Sequence, residues 1–187
     1  MIDDKILYNN FLRGDINSFE SLVITHKDNL IYFISKYTGG DIYSAEDIAQ
    51  DVFAYVFVNK EKYNLDYSFK TYIYTLGKNK AIDYVRKQSK LNLISFDKDN
   101  EQLFQEMESL EDKLIRDENK KSLLNILKKI KPEYERAIYL ADFEDLSYKE
   151  IARILDKTLP QTKVLIHRAR KSLRLMIEKG DYFDEKW

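Results

Sequence analysis

The sequence predicts an all-α protein: two small helical domains joined by an acidic linker, the C-terminal one containing a helix-turn-helix. Three observations carry this reading. Five glycines and two prolines interrupt 187 residues. Apolar residues recur at intervals of three and four. A run dense in acids then breaks that periodicity near the middle of the chain. No sheet is expected.

In the first domain, residues 1–92, Phe19, Leu22, Val23, His26, Leu30, Phe33, Ile34 and Tyr37 step along one face of a long helix that Gly39 and Gly40 close. A second helix is expected to open at "SAED", with Ser44 as its cap and Asp47 reaching back three residues. Its apolar stripe is Ala45, Ile48, Ala49, Val52 and Val56. The third helix is "FKTYIYTLGKNKAIDYVRKQ", residues 69–88, with four tyrosines or phenylalanines and five lysines or arginines against one acid. Phe69, Tyr72, Ile73 and Leu76, continued by Gly77, Ala81, Tyr84 and Val85, form its buried stripe. The small pair Gly77 and Ala81 lets another helix approach closely. Lys70, Tyr74 and Lys78 share a different face, with Asn79, Ile82 and Arg86 beside it, and that face is expected to point outward. Aromatic rings at helical spacing usually belong to a core. If Tyr74 is exposed, however, cations around a ring suit single-stranded nucleic acid, because a stacked base contributes about 1 to 3 kcal/mol.

Between Ser95 and Asp112 seven acids stand against Lys98 alone, a net of −6 with weak periodicity. The segment 93–115 reads as a linker between domains.

Helical spacing returns in the second domain, residues 116–187, through Leu123, Ile126, Leu127 and Ile130 to Pro132, followed by a short helix from Tyr134 to Phe143. In "LSYKEIARILDKTLPQTKVLIHRARKSLRLMIEKG", Ser147 and Glu150 have capping-box spacing, with Leu146 and Ile151 placed as a hydrophobic staple. The first helix ends near Leu155. Thr158 and Gln161 repeat the box three residues later, with Pro160 in the first turn, where its missing amide hydrogen costs nothing. Two helices joined by so short a turn make a helix-turn-helix. The second buries Ile166, Ala169, Leu173 and Met176 or Ile177, and leaves Gln161, Lys163, His167, Arg168, Arg170, Lys171 and Arg174 outside. Nine basic residues and three acids from Leu146 to Gly180 give +6. That charge fits a helix in the major groove of duplex DNA; a plain solvated basic face is the alternative.

Composition narrows the function classes. There are no cysteines and two histidines, His26 and His167, which removes thiol chemistry and leaves little for a metal site or catalytic base, so neither an enzyme nor a cofactor or small-molecule substrate is expected. The net charge of −1 gives no global attraction to polyanions, so any such affinity must come from the segregated basic faces. No apolar run approaches the roughly 18 residues of a membrane span, and the acids of "MIDDKILYNN" do not suit a signal peptide. A cytoplasmic protein is expected.

"AEDIAQDVF", "FKTYIYTLGKNKAIDYVRK" and "LSYKEIARILDKTLPQTKVLIHRARKSLR" stand in the order and at the separations found in bacterial sigma factors of the extracytoplasmic-function group, which the chain resembles over most of its length. The resemblance implies an N-terminal domain that binds RNA polymerase core and opens the minus-ten element, and a C-terminal domain that reads the minus-thirty-five element. Its promoter partner is DNA both duplex and single-stranded. A membrane-associated anti-sigma factor is implied as a further partner, and the acidic linker is implied to thread the polymerase cleft. By the same resemblance Asp47, Gln50, Asp51 and Phe53 lie on the polymerase. Tyr74, Lys78, Asn79, Arg86 and Lys87 lie near the non-template strand, where Asp83 orients Arg86 or Lys87. The loop Asn59 to Ser68 holds a flipped base in relatives. Gln161, Lys163, His167, Arg168 and Lys171 face the minus-thirty-five element.

The chain departs from the family pattern in the turn, where Asp156 replaces a common Gly, at Pro160, and at Val164-Leu165, where relatives have Ser-Arg. Lys80 stands where relatives are usually apolar. The aliphatic pair either touches thymine methyl groups or packs internally. Two other functions fit the residues alone: a helix-turn-helix regulator that binds duplex DNA without being a polymerase subunit, and a helical interaction protein whose basic faces hold an acidic partner.

Overall fold

The computed structural model describes residues 3–91 and 118–178, and every regular element among them is helical. Contacts divide the chain into two compact units, Met1–Leu114 and Ile115–Trp187. The acidic run from Ser95 to Asp112 lies outside the described residues.

Among the described residues, four helices build the first unit: α1 (Asp4–Leu12), α2 (Ile16–Ser35), α3 (Ile42–Val58) and α4 (Phe69–Leu91), with a 3-10 turn at Lys60–Lys62. Carboxylates start the first three. The Asp15 side chain accepts from Asn17 N at 3.1 Å and from the Ser18 hydroxyl at 2.6 Å, and the Ser18 bond chiefly holds its carboxyl below the usual range. Helix α3 begins earlier than expected. Asp41 caps it, accepting from Ser44 N at 3.1 Å and Ser44 Oγ at 2.7 Å. Ser44 therefore sits inside the first turn as a donor, because the turn through Gly39 and Gly40, at φ 70° and 91°, delivers Asp41 to the helix end first. Ser68 starts α4, its Oγ accepting from Thr71 N at 3.2 Å.

Helix α4 packs against both α2 and α3. Leu30, Phe33 and Ile34 of α2, Ala45, Ala49 and Val52 of α3, and Phe69, Ile73 and Ala81 of α4 are all buried. The close approach expected at Gly77 is present. A Cβ there would stand 3.1 Å from Leu30 Cδ1 and 3.2 Å from Ile34 Cδ1, tighter than ordinary van der Waals contact. An aromatic cluster fastens α1 and the loop after α3 over the start of α4. The Tyr8 ring meets Tyr63 edge-on at 4.5 Å and Phe69 at 5.5 Å, and its hydroxyl donates to Lys60 O at 2.8 Å.

The second unit contains α5 (Glu118–Leu127), α6 (Pro132–Ile138), a π-helical turn Tyr139–Phe143, α7 (Tyr148–Ile154) and α8 (Leu159–Glu178). The expected box at Ser147 and Glu150 forms in full, with Glu150 N donating to Ser147 Oγ at 3.4 Å and Ser147 N to Glu150 Oε2 at 2.9 Å. Leu146 and Ile151 are both buried. Between α7 and α8 the chain turns through Asp156 at φ 51°, the left-handed region that glycine enters without cost. Lys157 ties this turn to α6 through Glu133 at 2.8 Å. Along α8, Thr162, Leu165, Ile166 and Ala169 are buried, Leu173 and Met176 are half-buried, and Ile177 is exposed. The apolar face thins after Ala169.

Candidate nucleic-acid interface

Helix α8 presents two outward faces. Lys163, His167, Lys171 and Arg174 line one shallow groove, while Gln161, Val164 and Arg168 line another beside Pro160. All five site residues expected on this helix, Gln161, Lys163, His167, Arg168 and Lys171, are exposed. Gln161 is also a structural residue. Its Oε1 accepts from Thr158 N at 2.8 Å, and its own N donates to Thr158 Oγ1 at 3.3 Å. Arg170 is less available than its spacing suggested: Asp142 holds it through two nitrogens and Tyr148 OH accepts from a third at 3.3 Å. The Asp142 hydrogen bond is the main reason its already high pKa is raised further. Of the aliphatic pair, Leu165 packs internally and Val164 is 48% exposed.

On α4 the exposed residues include Asn79, Ile82, Asp83, Arg86 and Lys87. Asp83 Oδ1 accepts from Arg86 Nη1 at 3.3 Å, one turn on. Three expectations are overturned here: Val85, assigned to the buried stripe, is 37% exposed, and two residues expected outside are buried. Tyr74 is fully buried, its ring 4.9 Å from Phe33, and Lys78 is 3% exposed. Tyr74 faces α2, the helix that also meets Gly77, so the buried wedge is wider than the single stripe read from spacing. Tyr72, assigned to that stripe, is half-buried and stacks on Tyr63 at 5.0 Å. Farther along, Gln88 Nε2 donates to Tyr84 OH at 3.1 Å, and that hydroxyl meets Ser44 Oγ at 2.7 Å.

On α3, Asp47, Gln50 and Asp51 are exposed as expected. Phe53 is not: it is 6% exposed, because α3 too is flanked on two sides, by α2 and α4. Apolar exposure falls instead on Phe57 and Val58, at 43% and 78%, which follow the stripe's last residue and which the period gave no reason to place outside. Lys80 reaches Asp51 at 3.3 Å. These residues are 29 apart in sequence, and no local pattern announces their pairing.

No helix among the described residues is long and apolar enough to cross a membrane, and no group of three or more His, Asp or Glu among them could hold a metal.

Residues 22–91 match the family model described as Sigma-70 region 2, and residues 120–173 match that described as Sigma-70, region 4. Together they take in well over half of the chain. The chain is 28% identical over 169 residues to the "ECF RNA polymerase sigma factor SigW" of Bacillus subtilis, covering 87% of this chain and 90% of the relative. It is 23% identical over 180 residues to the "ECF RNA polymerase sigma-E factor" of Escherichia coli K12, covering 92% and 93%. Among solved structures, CnrH in complex with the cytosolic domain of CnrY superposes with a TM-score of 0.64 at 20% identity, covering 94% of this chain and 97% of that one. The sigma factor RpoE in complex with the anti-sigma factor NepR from Bartonella quintana gives 0.62 at 16% identity, covering 86% and 96%. At such identities these two likenesses speak to the fold.

Proposed function

This chain belongs to the extracytoplasmic-function group of the sigma-70 family, and from that premise we propose how its faces divide the work of initiation. As a sigma factor it binds RNA polymerase core and directs promoter-specific transcription initiation. In our reading residues 1–92 bind core and open the minus-ten element, 93–115 link the domains, and 116–187 read the minus-thirty-five element. Asp47, Gln50 and Asp51 on α3 meet the polymerase. Asn79, Arg86 and Lys87 on α4 hold the displaced strand, with Asp83 aiming Arg86. On α8, Lys163, Arg168 and Lys171 neutralise phosphates while Gln161 reaches base edges, and His167 faces the same element. The chemistry of RNA synthesis belongs to the polymerase, and this chain contributes binding and placement.

One observation carries the reading: each compact unit holds one sigma-70 region and one outward helix face bearing cations. An anti-sigma factor is proposed as a further partner, on the footing that RpoE is seen bound to one; its association with the membrane is what the family resemblance implies. Permanganate reactivity of unpaired promoter thymines in holoenzyme complexes tests the strand assignment. Alanine at both Asn79 and Arg86 should spare the closed complex and depress opening; normal opening would return α4 to a solvated helix face.

A further inference from the structure

Val164 and Gln161 share one groove of α8 with Arg168, and their chemistry is complementary. Resting on the reading of α8 as a major-groove helix, we infer that Val164 recognises a thymine methyl group in the upstream element, beside a donor-only contact from Gln161 to an acceptor on a neighbouring base.

The argument starts from what each side chain has left to offer. Gln161 Oε1 is occupied by Thr158 N at 2.8 Å. A backbone N–H donates, so the atom facing it is the oxygen, and the Nε2 amide with its two protons is left for a ligand. A free glutamine pairs with adenine through one donor and one acceptor together. With its acceptor engaged at the helix cap, Gln161 matches best the bases that present acceptors without a competing donor in the major groove: guanine through O6 and N7, or thymine through O4, whereas adenine sets its N6 donor beside its one acceptor, N7.

Val164 stands three residues on, 48% exposed, whereas its neighbour Leu165 is 7% exposed and held in the core. Val164 shares its groove with Tyr134, Pro160 and Leu165, yet about half of its side chain still faces outward, where a ligand can meet it. In the major groove the one apolar feature of a base is the C5-methyl of thymine. Side chains three apart on a helix lie about 5 to 6 Å from each other, close enough to meet adjacent base pairs. Arg168, one turn further, stands in position to fix the register on a phosphate.

The test uses holoenzyme assembled from the full chain and host core polymerase, selecting from duplexes randomised across the upstream element. Each thymine of the selected element is then replaced singly by deoxyuridine, which removes the methyl and nothing else. At one thymine the native chain should lose about fourfold in affinity, the effect of one buried methyl, and Val164→Ser should lose nothing further at that position. Gln161→Glu keeps the oxygen that caps the helix, and should lower the preference for guanine or thymine at the adjacent position by about tenfold. Indifference to deoxyuridine everywhere, or an equal loss in Val164→Ser, overturns the inference while leaving the selected element, and so the major-groove reading, intact. No element selected, together with no effect of Arg168→Ala, overturns both.

Discussion

Lys80 Nζ lies 3.3 Å from Asp51 Oδ2, an ion pair joining α4 to α3. It connects the helix proposed to hold the opened strand with the helix proposed to meet the polymerase. The pair is exposed, and exposed pairs contribute about 0 to 1 kcal/mol, so it matters little to the fold. Asp51→Arg should therefore weaken core binding while leaving the thermal transition nearly unchanged. The charge swap of Asp51→Lys with Lys80→Asp restores the pair but not core affinity. Parental affinity in a core-binding titration of either variant would refute the placement of Asp51 on the polymerase.

Tyr74 and Asn79 separate packing from function on one helix. Tyr74→Ala removes a buried ring beside Phe33 and should cost about 3 to 5 kcal/mol of stability. Asn79→Ala, at an exposed position, should stay within about 0.5 kcal/mol and still depress open-complex formation. Denaturant unfolding set beside an opening assay checks both halves. A stable Tyr74→Ala protein would show that the ring is not part of the core.

The aromatic cluster predicts an alkaline limit to stability. Burial chiefly pushes the Tyr63 hydroxyl up to about 12, with Asp4 and Asp3 adding to it. Burial likewise raises Tyr8 and Tyr72. A raised folded pKa means that the unfolded chain releases its protons first. The stabilisation is complete below about pH 10, the unfolded value, and is lost as pH rises toward about 12. Melting temperature should fall steeply across that window, and more gently in Tyr63→Phe. An unchanged Tm from about pH 9 to about pH 11 would contradict the burial of these hydroxyls.

The turn of the helix-turn-helix gives a backbone prediction. Asp156 sits at φ 51°, a conformation that glycine adopts freely and a β-branched residue resists. Asp156→Val should lower stability by about 1 to 2 kcal/mol, whereas Asp156→Gly should leave it near the parent value. Equal melting of the two variants would mean that the turn does not need this conformation.

The parts of the fold that were legible in the sequence are those fixed by local geometry. The two boxes at Ser147 and Thr158 and the close approach at Gly77 depend on spacings of three or four residues, and all three formed. The three side chains expected outside and found buried share one cause. A helix read alone shows one stripe, but α3 and α4 each pack against two helices, so the covered face is wider than the stripe and takes in Phe53, Tyr74 and Lys78. Asp41 displaced Ser44 as a cap because the glycine turn set the entry angle. The recognition helix was the most legible part of the site, since Lys163, Arg168 and Lys171 are exposed on it as their spacing suggested; the commitment of Gln161 to its cap was implicit in the same box that marked the helix start.

Arg168 and Arg170 are both basic and both on α8, yet they should behave differently. Arg168→Ala should weaken binding to every upstream element alike and reduce the salt slope by about one unit. Arg170→Ala should mainly lower the stability of the second unit, because Asp142 and Tyr148 lose their partner. Salt titrations of holoenzyme binding decide between them, and equal slopes for the two variants would mean that Arg170 leaves Asp142 for the DNA.

The central claim is that this chain confers promoter choice on polymerase core. Its most direct test is transcription in vitro from a promoter library, with host core polymerase and the purified chain as the sole added factor. The account predicts transcripts from a small set of promoters sharing one upstream and one downstream element, absent without the chain and strongly reduced by Asp51→Arg. Binding of the chain to duplex DNA on its own, with no core association and no promoter-dependent transcript, would contradict it.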